Sequence, residues 1–162
     1  MNDKQVDMWE NPRFRNWVAV ARACQLVQQT LSRELRPLDI KPPQLDILVN
    51  LARTEGISQQ ELARKLLVGR SNMTMLLPQL EKRGVIERRP DADDRRILRL
   101  YLTEEGRGLA ERAIATQAEL IDEIMALSTV EDCEIVGNTM RDMISMLQAR
   151  EKAAKTEKDD AA

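Results

Sequence analysis

The chain has 162 residues, enough for one ordinary domain or one domain with helical extensions. Hydrophobic residues make up 43%, so a normal core can form, while 2% aromatics argue against a large β-sandwich. Charged residues at 32% exceed the usual ~25%, as in helices with solvated faces, and a net charge of −2 gives no whole-chain case for nucleic-acid binding.

Asn11-Pro12 reads as a helix start, a capping residue followed by proline at the first helical position. Phe14, Trp17, Ala21, Cys24, Leu31 and Leu35 recur mostly at three- or four-residue spacing, which predicts one long amphipathic helix. It should stop near Arg36, because Pro37 disfavours helical geometry before it. Lys41-Pro42-Pro43 makes a turn, and a second helix from Pro43 to about Arg53 buries Leu45, Leu48 and Leu51 or their neighbours, with Gly56 ending it.

Ser58-Gln59-Gln60-Glu61 is a capping box. It opens a short helix to about Leu67, with Leu62, Ala63 and Leu66 inward, and Val68-Gly69 turns the chain. A further helix runs from Arg70 to Arg83 on a stripe of Met73, Leu76, Leu77 and Leu80, with Gly84 in the place of a C-terminal glycine. The period then changes. Val85–Arg89 and Ile97–Thr103 read as the strands of a hairpin whose tip is the charged loop from Pro90 to Arg96. Thr103 caps a long helix to about Leu127, with Glu104 and Glu105 at the positive end of its dipole. Ser128-Thr129-Val130-Glu131 is a second capping box, starting a last helix to about Arg150. The charged tail 151–162 extends that helix or frays.

Two short helices joined by a tight turn, followed by a hairpin, make a winged helix-turn-helix. The expected fold is mainly α with a small β-hairpin wing, plus a helical dimerisation region. The second helix of the pair can enter the major groove, where base edges are distinguishable, and the hairpin carries arginines toward the phosphates and the minor groove. Charge is distributed accordingly. Residues 53–107 hold twelve Lys/Arg against nine Asp/Glu, whereas residues 108–162 hold six against twelve.

In their order and spacing these pieces resemble the MarR family of bacterial transcription regulators. The resemblance covers nearly the whole chain and is strongest from Ile57 to Gly106. It is carried by Ser58-Gln59-Gln60-Glu61-Leu62-Ala63, then Leu80-Glu81-Lys82-Arg83-Gly84, then Asp94-Arg95-Arg96 followed by Leu102-Thr103-Glu104-Glu105-Gly106. It implies a homodimer whose interface is made by Pro12–Arg36, Glu104–Leu127 and Thr129–Arg150. Residues 1–40 and 104–150 would then be the dimerisation region and 41–103 the DNA-binding domain. It also implies a near-palindromic site on double-stranded DNA, repression, and release by a small aromatic or phenolic effector or by cysteine oxidation.

Within this frame Arg70, Ser71, Asn72, Thr74 and Met75 are the candidate DNA contacts of the recognition helix; ordinary exposed polar residues are the competing reading. Arg95 and Arg96 are the wing-tip candidates. The resemblance pairs Asp94 with Arg96, and a charge-assisted hydrogen bond between them would pre-set the guanidinium. Arg88 and Arg89 are phosphate candidates on the first wing strand, against a solvated strand face. Pro78 departs from the family pattern, removes a backbone hydrogen bond toward Thr74 and predicts a kink.

Trp9, Phe14 and Trp17 read first as core or dimer packing, with Trp17 as the candidate ligand contact. Cys24 and Cys133 lie far apart and read as buried structural thiols, with a redox switch as the competing reading. The chain has no histidine, and no nucleophile–base pair or glycine-rich phosphate loop is evident; no enzyme, cofactor, catalytic residue or metal site is expected. No run of about 18 apolar residues occurs and the first ten residues are polar, so a cytoplasmic protein is expected. The alternative function is a ligand or redox sensor acting through a protein partner, with a vestigial wing.

Overall fold

The computed structural model describes residues 9–66 and 70–160, the side chains of 70–72 and 155–160 excepted. The chain forms two compact units, Met1–Ala118 and Glu119–Ala162.

In the first unit, α1 (Pro12–Glu34) begins where Asn11 accepts the Arg13 amide at 2.9 Å. A short 3-10 turn, Arg36–Leu38, follows, and Asp39 takes a left-handed conformation. The α1 stripe read from sequence divides. Leu31 and Leu35 are core residues, but Trp17 is 49% exposed and Cys24, expected to be buried, is exposed within this chain. Trp9, expected in a core or dimer contact, is itself exposed and meets Phe14 edge-on at 5.1 Å, and most other residues in the N-terminal two-thirds of α1 are exposed, so periodicity there does not translate into burial.

Helix α2 (Pro42–Arg53) encloses Leu45, Ile47, Leu48 and Leu51 completely. After it comes a strand that periodicity does not reveal, β1 (Ile57–Ser58), since two residues are too few to show an alternation. Helix α3 (Gln59–Lys65) and helix α4 (Arg70–Lys82) follow, then β2 (Ile86–Pro90) and β3 (Leu98–Leu102). The sheet is antiparallel in the order β1-β3-β2, with Ile57 opposite Leu100 and Arg88 also opposite Leu100. Leu62, Met73, Leu77, Leu80, Leu100 and Leu102 join the α2 residues in one core. Each such side chain contributes ~1.5–3 kcal/mol by leaving water.

Thr103 joins the wing to α5 (Glu104–Met125). Its hydroxyl donates to the Gly84 carbonyl at 2.6 Å and accepts the Gly106 amide at 3.0 Å. Gly84 has φ +68, the left-handed conformation a helix-ending glycine supplies.

In the second unit, α6 (Val130–Asp160) is capped by Thr129, one residue later than the sequence pattern indicated. The Thr129 hydroxyl accepts the Asp132 amide at 3.1 Å and donates to the Asp132 carboxylate at 2.7 Å. Thr129–Asp132 thus takes the role expected of Ser128–Glu131, and either pair satisfies the spacing. The tail extends the helix as far as Asp160. Leu127, Val130, Ile135 and Val136 are all more than half exposed on this unit.

Candidate nucleic-acid interface

The helix-turn-helix is held at its start by the Ser58 capping box. The Glu61 amide reaches Ser58 Oγ at 3.2 Å, and Glu61 Oε2 accepts from the Ser58 hydroxyl at 2.7 Å and the Ser58 amide at 2.9 Å. These hydrogen bonds, the hydroxyl's first, hold the Glu61 carboxyl below its ordinary pKa. The expected turn at Val68-Gly69 lies outside the described residues, as do the side chains of Arg70, Ser71 and Asn72 on the first turn of α4.

On α4, Met73, Leu77 and Leu80 are fully buried and Leu76 is half-buried. Thr74 and Met75 are exposed, Met75 at 64%. One face is therefore fixed in the core and the other is presented outward, as the spacing required. Pro78 is exposed, and α4 runs through it as one helix from Arg70 to Lys82. The residue costs a backbone hydrogen bond without ending the helix.

The wing strands sort their arginines by face. Arg88 shares the inward side of β2 with Ile86 and is tied to two elements of the helix-turn-helix. Its Nε lies 3.1 Å from Glu81 Oε2 of α4, an ion pair too bent for a hydrogen bond, and its Nη1 donates to Gln59 Oε1 of α3 at 3.4 Å. Arg89, on the other side, pairs with Glu87 and stacks on the Tyr101 ring, 4.6 Å from its centroid. Neither is a freely solvated strand residue.

At the tip, Asp94 and Arg96 pair differently from the expectation. Asp94 Oδ1 accepts the backbone amide of Arg96 at 3.0 Å, not its guanidinium. A two-residue separation in a tight turn brings amide and carboxylate together more readily than side chain and side chain. The guanidinium groups of Arg95 and Arg96 are consequently exposed, with no carboxylate partner among the described residues.

Sequence reading passed over the residues that organise this loop. Asp91 Oδ1 accepts the amides of Asp93 at 2.9 Å and Asp94 at 3.0 Å, and Asp91 Oδ2 pairs with Arg99 Nε. Arg99 Nη1 donates to the Gly56 carbonyl at 2.8 Å. The Asp91 carboxyl is lowered to about 2, first by Arg99 and then by the two amides. Asp91-x-Asp93, an aspartate two residues before a polar amide in a turn, is the local signal that could have identified the cap.

A cavity of about 370 Å³ opens between the end of α1, the start of α2 and the end of α4. Arg36, Lys41 and Arg83 line it against one carboxylate, Asp39, together with Gln44 and Gln79. Arg83 braces its wall, donating to the carbonyls of Asp39 and Leu38. Trp17 is not among the lining residues.

No helix among the described residues is long and apolar enough to cross a membrane. The model of the MarR family matches residues 40–98, from α2 through the wing. The transcriptional repressor MprA of Escherichia coli (strain K12) is 32% identical over 142 residues, 83% of this chain and 80% of that protein. Among solved structures, the MepR–DNA complex of S. aureus has the same fold at TM-score 0.75 and 24% identity, over 80% of this chain and 96% of that one. CouR from Rhodococcus jostii RHA1, bound to p-coumaroyl-CoA, matches at TM-score 0.70 and 25% identity, over 86% and 93%. With the exposed face of α4 beside a wing whose tip arginines are exposed, these likenesses make the chain a member of the MarR family of winged helix-turn-helix, DNA-binding transcription regulators.

Proposed function

We propose that the chain is a repressor that binds a near-palindromic operator as a homodimer and is released by a small anionic aromatic or phenolic ligand. One observation carries the DNA part: Arg95 and Arg96 stand exposed, with no carboxylate partner among the described residues, on a loop whose backbone is closed. Cations held without internal partners are available to phosphates or to the minor groove. Arg70, Ser71, Asn72, Thr74 and Met75 supply the base and phosphate contacts of the recognition helix. Arg89 reaches phosphate from the wing strand, and Arg88 contributes mainly by joining the wing to α3 and α4.

The dimer is supported by exposed apolar side chains among the described residues: Trp17 and Leu26 on α1, Leu127, Val130 and Ile135 in the second unit. Residues 1–40 and 104–150 form that interface and 41–103 the DNA-binding domain, leaving 151–162 as a charged tail. Two copies place their recognition helices one helical turn apart, ~34 Å. MprA is named a transcriptional repressor, which supports repression here. CouR's bound p-coumaroyl-CoA and the excess of cations around the cavity support an anionic effector.

The test is a genomic binding selection with the purified full chain, followed by fluorescence anisotropy on the recovered duplex across a salt series. Nanomolar, sequence-specific binding is expected, with Arg96→Ala lowering the salt slope by ~0.9, one phosphate contact. A selection that returns no site, with only sequence-blind binding by anisotropy, overturns the reading in favour of a protein-partner sensor.

A further inference from the structure

The wing-tip loop from Pro90 to Arg96 carries Asp91, Asp93 and Asp94 against Arg95 and Arg96, so its net charge is −1. Long-range attraction to DNA therefore does little at this loop. What matters is which charge faces the duplex, and that is decided by the loop's conformation.

The conformation is held by a small set of contacts. The Asp91 amide donates to the Ile97 carbonyl at 2.9 Å and the Ile97 amide to the Asp94 carbonyl at 2.9 Å, closing the loop. Asp91 gathers the amides of Asp93 and Asp94, and Asp94 gathers that of Arg96. The second oxygen of Asp91 is taken by Arg99, whose other prong reaches the Gly56 carbonyl in the segment before β1. The Asp91 side chain is only 10% exposed, whereas Arg95 and Arg96 are solvated. The pair, its carboxylate shielded and its guanidinium about one-third exposed, is thus separate from the two solvated cations, and it connects the tip to the chain leading into α3.

We propose that Asp91 and Arg99 are positioning residues for DNA binding: the pair fixes the wing loop so that Arg95 and Arg96, and not the adjacent carboxylates, face the duplex. This rests on the DNA-binding reading above. Neither residue needs to touch DNA. The contribution is pre-organisation, the ordering of the loop before the encounter.

The sign of the effect separates this from electrostatics. Asp91→Asn keeps an oxygen for the loop amides, weakens the bond to Arg99 and removes a negative charge near DNA. Simple Coulomb reasoning has the variant bind more tightly; positioning has it bind more weakly, by about tenfold, the order of one lost DNA contact. The experiment is anisotropy with the selected operator duplex on four full-length proteins: wild type, Asp91→Asn, Arg95→Ala/Arg96→Ala, and all three substitutions together. The loss from Asp91→Asn is expected in the wild-type background and should shrink to within about twofold once both arginines are gone, as coupled residues behave.

Arg99→Gln replaces Asp91→Asn in the same cycle if circular dichroism shows the latter unfolded. Unchanged or tighter binding by the single variant, or an equal loss in both backgrounds, overturns the proposal. Wild type that binds but loses affinity only on Arg95→Ala/Arg96→Ala overturns the positioning role and leaves the DNA-binding reading intact. Wild type that binds no duplex overturns both.

Discussion

Gly106 on the first turn of α5 lies directly against the carbonyl of Val85, so close that a Cβ there would come within 1.9 Å of the oxygen. The contact joins the end of the helix-turn-helix to the start of the long helix, and Thr103 bridges both with its hydroxyl. This gives the Leu102-Thr103…Gly106 pattern a physical meaning: a cap and a missing side chain at the same junction. Gly106→Ala must push backbone from backbone and should cost at least ~2 kcal/mol, the upper range for overpacking a core. Gly108, two residues on, meets nothing within 4 Å. Gly108→Ala should instead stabilise the helix by ~0.5–1 kcal/mol. Urea unfolding of the two variants reads opposite shifts of the midpoint; equal shifts would remove the steric account.

Ser58→Ala deletes the hydroxyl that both caps α3 and holds the Glu61 carboxyl down. A loss of ~1 kcal/mol is expected from the missing cap. The Glu61 shift sets its pH dependence. A carboxyl lowered by folding contributes stability above its ordinary value of 4.5 and loses it as pH falls through the lower folded value. The difference between wild type and Ser58→Ala should therefore be full at pH 7 and narrow below about 4.5. A difference that is constant from pH 7 to 3 in thermal unfolding contradicts the Glu61 part of the argument.

The contrast between these residues and the wing shows what a sequence exposes. Ser58–Glu61 and Asn11–Pro12 are local, and their spacing alone identifies them. Arg99 is different: one partner lies eight residues back and the other forty-three. No window of the sequence contains that arrangement, and alternation places Arg99 only on the face away from Leu100. Arg88 is similar, since Glu81 and Gln59 meet it only once the sheet packs on α3 and α4. The α1 stripe differs for another reason: Trp17, Ala21 and Cys24 on it are exposed in a single copy, and periodicity records that a face is apolar without saying which chain covers it.

Asp91 provides a second pH-dependent signal, distinct from that of Glu61. Its carboxyl falls from the ordinary 3.8 to about 2 through Arg99 and two backbone amides. The depressed value means the ionised form is favoured by folding, so its stabilisation is present above pH 3.8 and disappears as pH drops toward 2. Carboxylate titration followed by carbon-13 NMR should find Asp91 still ionised at pH 3, when an ordinary aspartate is mostly protonated. Arg99→Gln should return the titration toward 3.8, because the largest cause is then removed. A midpoint near 3.8 in the wild type would show that the pair does not persist in solution.

Met75 is the least conventional residue on the outward face of α4, an apolar side chain left 64% exposed beside Thr74. A solvated surface gains nothing from a methionine there, whereas a thymine C5-methyl in the major groove offers it an apolar partner. The operator should therefore carry a thymine opposite Met75 in each half-site. Replacing that thymine by uracil removes one methyl and leaves every hydrogen-bonding group in place. Burial of a group that size is worth ~0.8 kcal/mol, so affinity should fall about fourfold per half-site. Met75→Ala should lose the same amount on the natural operator and should no longer distinguish thymine from uracil. If wild type binds the uracil-substituted duplexes as tightly at every position of the selected site, Met75 does not read a methyl and its exposure has another cause.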